Sequence, residues 1–200
     1  MKKIVALFLS ILMVLGLSTA LAETDALLIG VVYKQSGNAY FQAAVEGFQK
    51  AADELGFTFL HDGPDDGSSD GQIRIIENYI SMGVDAICVS ANDPDALVSI
   101  LQEAMAEGIK VISWDAEVAA EGRNLDVEPA SAKSIALTQV ESIAKSIGYE
   151  GQVAIVSATA TAPNQNLWIG FMEEALATDP AYAKIEYVGT VYGDDEYTKS

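Results

Sequence analysis

The chain has 200 residues, half of them apolar, with 29 Asp and Glu against 11 Lys and Arg and a formal net charge of −18. So acidic a surface argues against nucleic acid, which needs clustered cations to displace counterions, and against anionic membranes. A single cysteine, Cys88, allows no intrachain disulfide, and a single histidine, His61, leaves catalytic triads and histidine-based zinc sites little to work with.

The first residues read as a secretory signal peptide over 1–22. Lys2 and Lys3 precede an apolar run from Ile4 to Leu17, and Ser18-Thr19-Ala20-Leu21-Ala22 supplies small residues at the −3 and −1 positions of a cleavage site. The run is about 14 residues, where roughly 20 are needed to span a bilayer. Direct membrane insertion is therefore not expected, and with no cysteine at or just after the cleavage point a lipid anchor is not expected either. The mature chain is expected to begin near Glu23 and to be secreted to the periplasm or cell envelope.

Strand and helix signals then alternate. Leu27 to Tyr33 is an apolar run of strand length, and residues 38–55 carry Phe41, Ala44, Val45, Phe48, Ala52 and Leu55 on one helical stripe that Gly56 stops. Phe57 to Leu60 predicts a second strand, and Ile73, Ile76 and Ile80 mark a helix ending at Gly83. Ala86 to Val89 predicts a third strand, with Cys88 as a buried strand residue rather than a reactive thiol. Pro94 is expected to open a third helix with Asp93 as its N-cap, Gly108 to end it, and Lys110 to Trp114 to form a fourth strand. A weaker strand over Asn124 to Val127 and a helix over about 130–147 follow. Then come a strand over 152–156, a helix over 164–177 and a strand from Ile185 to Val191.

This alternation is α/β. Strands that are apolar at every position fit parallel sheets with helices on both faces. Two lobes are expected, an N-terminal one over 25–127 and a partial second over 128–200. The second has two strong strands before Ser200, too few to cover its apolar faces. The sequence is therefore expected to stop partway through that lobe, and residues 23–200 to be aggregation-prone or only partly folded.

Right-handed crossovers bring the strand carboxyl ends to one edge, where open α/β sheets bind ligands. The first-lobe strands end there in Lys34 to Asn38, His61-Asp62, Ser90-Ala91-Asn92 and Trp114-Asp115. No P-loop or G-x-G-x-x-G is present, and Asp62 to Gly71 lacks the spacing of an EF-hand, so it reads as a solvated loop capping the next helix. A glycosidase needs two opposed carboxylates roughly 5 to 9.5 Å apart, and Asp115 has no clear partner. No enzyme, metal or cofactor is expected. The polar strand ends suit a polyol instead: amides, a carboxylate and a cation for hydroxyls, aromatic rings for C–H faces. The candidates are Lys34, Asn38, Tyr40, Phe41, Asn92, Trp114 and Asp115 from the first lobe, with Asn164, Gln165 and Trp168 just after a strand of the second.

Five stretches carry a family resemblance: Lys34 with Gly37-Asn38-Ala39-Tyr40-Phe41, Ser90 to Leu97, Lys110 to Asp115, Asn164-Gln165-Asn166-Leu167-Trp168, and Tyr192-Gly193-Asp194-Asp195. Over about 27–195 the chain resembles the type I periplasmic binding proteins, in the branch holding rhamnose-binding and autoinducer-2-binding receptors. The resemblance implies two α/β lobes closing about a hinge on one ligand, and delivery to a membrane ABC permease powered by a cytoplasmic ATPase. It implies capture of a neutral, rhamnose-like monosaccharide by a monomer. The alternative is an autoinducer-2 receptor or uptake protein. In such receptors a Lys, an Asp and an Asp-Gln pair hold the ligand. Lys34, Asp115 and Gln165 match, but Asn164 replaces the pair's Asp, and Asn-Gln-Asn is more similar to the rhamnose type.

Overall fold

Leu28–Val32 (β1) is an apolar strand along which burial rises until Val31 and Val32 are fully enclosed. The computed structural model describes residues 26–194, so the leader expected over 1–22 lies outside the described residues. After β1 come Ala39–Leu55 (α1), Thr58–Asp62 (β2), Ser69–Met82 (α2), Ala86–Val89 (β3), Val98–Ala106 (α3), Lys110–Trp114 (β4) and Leu125–Val127 (β5). These strands form one parallel sheet in the order β2-β1-β3-β4-β5. Gly56 and Gly83 end α1 and α2 in the left-handed conformation, as their positions predict.

Register sets the functional edge. Val32 is level with Asp62 on one side and Val89 on the other, and Val89 is level with Ser113. The residues that leave β1, β3 and β4 therefore emerge together. One face of the sheet is sealed by α2 and α3, with Ile76, Ile87, Leu97, Leu101 and Val111 fully buried. Each such side chain contributes about 1.5–3 kcal/mol by leaving water. On α1, Phe48 lies 5.6 Å from Trp114 and 6.1 Å from Phe59, ring centre to ring centre.

The third helix departs from expectation. It begins at Val98, not at Pro94. The Asp93 carboxylate accepts from the Asp95 and Ala96 N–H groups at 2.9 and 3.0 Å, and the Val98 N–H donates to the Asp95 carbonyl at 3.1 Å. A short acidic side chain competing for nearby N–H groups favours a turn over a continuous helix.

Ala132–Ile147 (α4), Gly151–Ser157 (β6), Pro163–Thr178 (α5) and Ile185–Tyr192 (β7) build a second, two-stranded parallel sheet. Ala136, Val140, Ala144, Met172 and Ala175 of α4 and α5 pack with Ile185 as its core. Val156, Val188 and Val191 stay exposed.

Candidate functional site

Lys34 lies two residues beyond the end of β1 and is only 3% exposed. A buried ammonium needs hydrogen-bond partners, and its Nζ donates to Asn164 Oδ1 at 3.0 Å. Asn164 lies in the first turn of α5, in the second sheet's layer, 130 residues further along the chain. Its Oδ1 also accepts from the Gln165 N–H at 2.9 Å, and its Nδ2 donates to the Asp115 carbonyl at 3.2 Å. The same Nδ2 lies 3.5 Å from Asp115 Oδ1. One neutral amide thus accepts from the cation and donates toward the anion, which only a group with both functions can do.

Asp115 follows β4 with a φ of 62°. A residue with a Cβ pays for this left-handed backbone, which persists only where the surroundings hold it. Here the Asp115 N–H donates to the Val127 carbonyl at 3.2 Å, and the carboxylate accepts from Ser90 Oγ at 2.7 Å and from the Tyr40 hydroxyl at 3.0 Å. Burial first, and then the Asp115 charge and hydrogen bond, push the Tyr40 phenol from near 10 up to about 12. The sign follows: stability from this neutral phenol is complete below pH 10 and is lost as pH rises through about 12. An alkaline titration read by phenolate absorbance should find Tyr40 ionising late although its ring is half exposed, and a Tyr40→Phe variant should lose one late-ionising phenol.

The sequence builds the facing wall locally. Asn38 caps α1 by accepting from the Tyr40 N–H at 2.9 Å, which aims the first turn at the strand ends. Phe41 is 4% exposed, stacks on Tyr33 at 5.7 Å and meets Trp114 edge-on at 5.9 Å.

Eight of the ten sequence-predicted residues converge. Lys34, Asn38, Tyr40, Phe41 and Asp115 from one sheet's edge, with Asn164, Gln165 and Trp168 from α5, line a cavity of about 240 Å³. The other two turn away from it. The Asn92 side chain donates to the Lys34 carbonyl at 2.8 Å, its N–H donates to Gln72 Oε1, and its carbonyl accepts from Thr161 Oγ1 at 3.0 Å. It anchors the chain behind Lys34. Trp114 packs edge-on against Phe41 and Phe48, and its buried ring N–H has no acceptor among the described residues. Gln165 faces the cavity, but its Oε1 accepts from Ser157 Oγ at 2.6 Å and the Ala158 N–H at 2.8 Å, which fixes the amide by its oxygen.

Two contributors were not among the ten candidates, although Ser90 was placed at the binding edge. Ser90 is fully buried and bonded to Asp115. Gln72 is also fully buried; its Nε2 donates to the carbonyls of Ser90 at 2.7 Å and Tyr33 at 3.2 Å. A signal for Gln72 existed, since it falls on the α2 stripe of Ile76 and Tyr79. Among the described residues no group of three His, Cys, Asp or Glu side chains could hold a metal ion.

This is a small mixed-polarity cavity between two parallel sheets, and the sequence over residues 29–200 matches the periplasmic binding protein domain. The chain belongs to that family. It is 30% identical over 189 residues to the D-ribose/D-allose-binding protein of Pseudomonas aeruginosa, covering 86% of this chain and 56% of that one. It is similar to an ABC transporter solute-binding protein from Clostridium phytofermentas solved with bound L-rhamnose, at 36% identity and a TM-score of 0.84. That match covers 87% of this chain and 54% of the other. A sugar ABC transporter protein from Actinomyces odontolyticus matches at 39% identity and a TM-score of 0.64, over 86% and 56% of the two chains. This periplasmic binding protein therefore spans a little over half the length of the relatives it matches.

Proposed function

We propose that this periplasmic binding protein is the extracytoplasmic solute-binding subunit of a bacterial ABC importer and captures a neutral, rhamnose-like monosaccharide between two lobes, residues 25–127 and 128 onward. The observation that carries this reading is the Lys34–Asn164–Asp115 bridge at the cavity wall. Its cation and its anion are both answered within the protein, so the cavity asks for hydroxyls rather than for a charged ligand. Tyr40, Phe41 and Trp168 supply aromatic surface for the C–H face of a ring. The L-rhamnose-bound relative, at 36% identity, supports the same class of solute.

Binding needs only that the solute prefer the closed lobes to the open ones, with no bond made or broken. The protein works in the periplasm as a monomer and hands its solute to a membrane permease. No described helix is long and apolar enough to cross a membrane. Calorimetry with L-rhamnose, other deoxyhexoses and autoinducer-2 tests the reading. Heat from L-rhamnose is expected; heat from autoinducer-2 and from no sugar would overturn it in favour of a quorum-signal receptor.

Asn164 separates the two readings. A carboxylate in its position would approach Asp115 at the present 3.5 Å, so Asn164→Asp should weaken L-rhamnose binding about tenfold. Unchanged affinity would mean that the bridge does not shape the site.

A further inference from the structure

We infer that Thr161 latches the two lobes in their closed arrangement from outside the sugar cavity, so that it sets solute affinity without touching the solute. The inference rests on the cleft reading above. Thr161 lies in the loop between β6 and α5, and its hydroxyl donates to the Asn92 carbonyl, in the loop between β3 and α3, at 3.0 Å. Neither residue lines the cavity. The Lys34–Asn164 bond also joins the lobes, but both of its partners belong to the cavity wall.

Both ends of the latch are held in place. Asn92 is 3% exposed; its N–H donates to Gln72 Oε1 at 2.9 Å and its side chain to the Lys34 carbonyl at 2.8 Å. On the other lobe, Asn166 Nδ2 donates to the Ala160 carbonyl at 2.8 Å and the Ala158 N–H to Gln165 Oε1 at 2.8 Å. The Ala162 N–H closes a turn on the Thr159 carbonyl at 3.2 Å. The loop is thereby tied to the start of α5. A bond between two groups that are already fixed costs little further ordering, so more of its strength remains to favour closure.

When the lobes part, the Thr161 hydroxyl and the Asn92 carbonyl bond water instead, so the latch biases closure without locking it. Apparent affinity scales with the fraction of molecules in the binding-competent, closed form. Weakening the latch therefore weakens binding of every solute by the same factor, which loss of a direct sugar contact would not do.

Thr161→Val removes the hydroxyl at nearly constant volume, and Thr161→Ser keeps it. Calorimetry is expected to show Thr161→Val binding L-rhamnose about fivefold more weakly and Thr161→Ser within about twofold of the parent. The same factor is expected for L-mannose and methyl α-L-rhamnoside, whichever the parent binds. Stopped-flow kinetics should place the loss chiefly in faster dissociation, and the melting temperature of the solute-free protein should stay unchanged. A Thr161→Val variant that binds like the parent overturns the latch and leaves the cleft reading standing. A loss confined to one sugar makes Thr161 a sugar contact and overturns the latch. A loss that Thr161→Ser does not restore, or that comes with a lowered solute-free melting temperature, assigns Thr161 to the fold of its own lobe and also overturns it. No heat from any of these sugars on the parent overturns the cleft reading and the latch together.

Discussion

Asp115→Ala should lower sugar affinity at least about a hundredfold, a loss of roughly 3 kcal/mol. The carboxylate is the meeting point of Ser90, Tyr40 and Asn164, contributed by three separated stretches of chain. Its removal takes away an acceptor at the cavity wall and releases the Ser90 and Tyr40 hydroxyls that it orients. Asp115→Asn, which keeps the shape but replaces one acceptor oxygen by a donor, should lose less, on the order of tenfold. Asp115→Gly relieves the left-handed backbone at φ 62°, so its melting temperature should exceed that of the Ala variant while binding is lost in both. Calorimetry for affinity and a thermal melt for stability read the three variants side by side. An Ala variant that binds within about threefold of the parent would remove Asp115 from the binding machinery.

Gln72→Leu should destabilise the fold by about 3–5 kcal/mol. Gln72 is fully buried and makes three hydrogen bonds to backbone: it donates to the Tyr33 and Ser90 carbonyls and accepts from the Asn92 N–H. Leucine fills a similar volume but strands all three groups away from water, at about 1–3 kcal/mol for each one left unsatisfied. A domain with about 5–15 kcal/mol in hand loses much of its folded population by such a change. Denaturant unfolding followed by fluorescence would measure it, and a change below about 1 kcal/mol would show that water replaces the lost amide. Sugar affinity should fall as well, because Gln72 tethers the chain at Tyr33, Ser90 and Asn92 behind the cleft residues.

Much of the fold was legible because its signals are local. Ala86–Val89 and Lys110–Trp114 were expected at their observed bounds, since short apolar runs between glycines and polar caps have one economical reading in an alternating chain. The failure at the third helix was also local in origin: Asp93 caps a turn, and propensity alone does not distinguish a turn from a first helical turn. At the site, Lys34 and Asp115 stood out because a charged residue directly after an apolar strand has few bland explanations. Asn92, a neutral amide shortly after β3, was also expected at the site, yet it turns inward to the Lys34 carbonyl. Trp114 likewise packs under α1 rather than lining the cavity.

The sequence by itself determined the α/β alternation, the carboxyl-edge location of the polar residues and the acidic character of the surface. These follow from periodicity, chain stops and composition, which need no knowledge of distant neighbours. Only the tertiary structure decided which polar side chains meet. Tyr40 reaches Asp115 across 75 residues and Lys34 reaches Asn164 across 130, and Gln72 is drawn inward by backbone groups of two other strands. A side chain at a strand end can turn to solvent, to backbone or to a cavity with nearly equal local energy. The choice falls to hydrogen-bond partners that arrive only once the chain has folded.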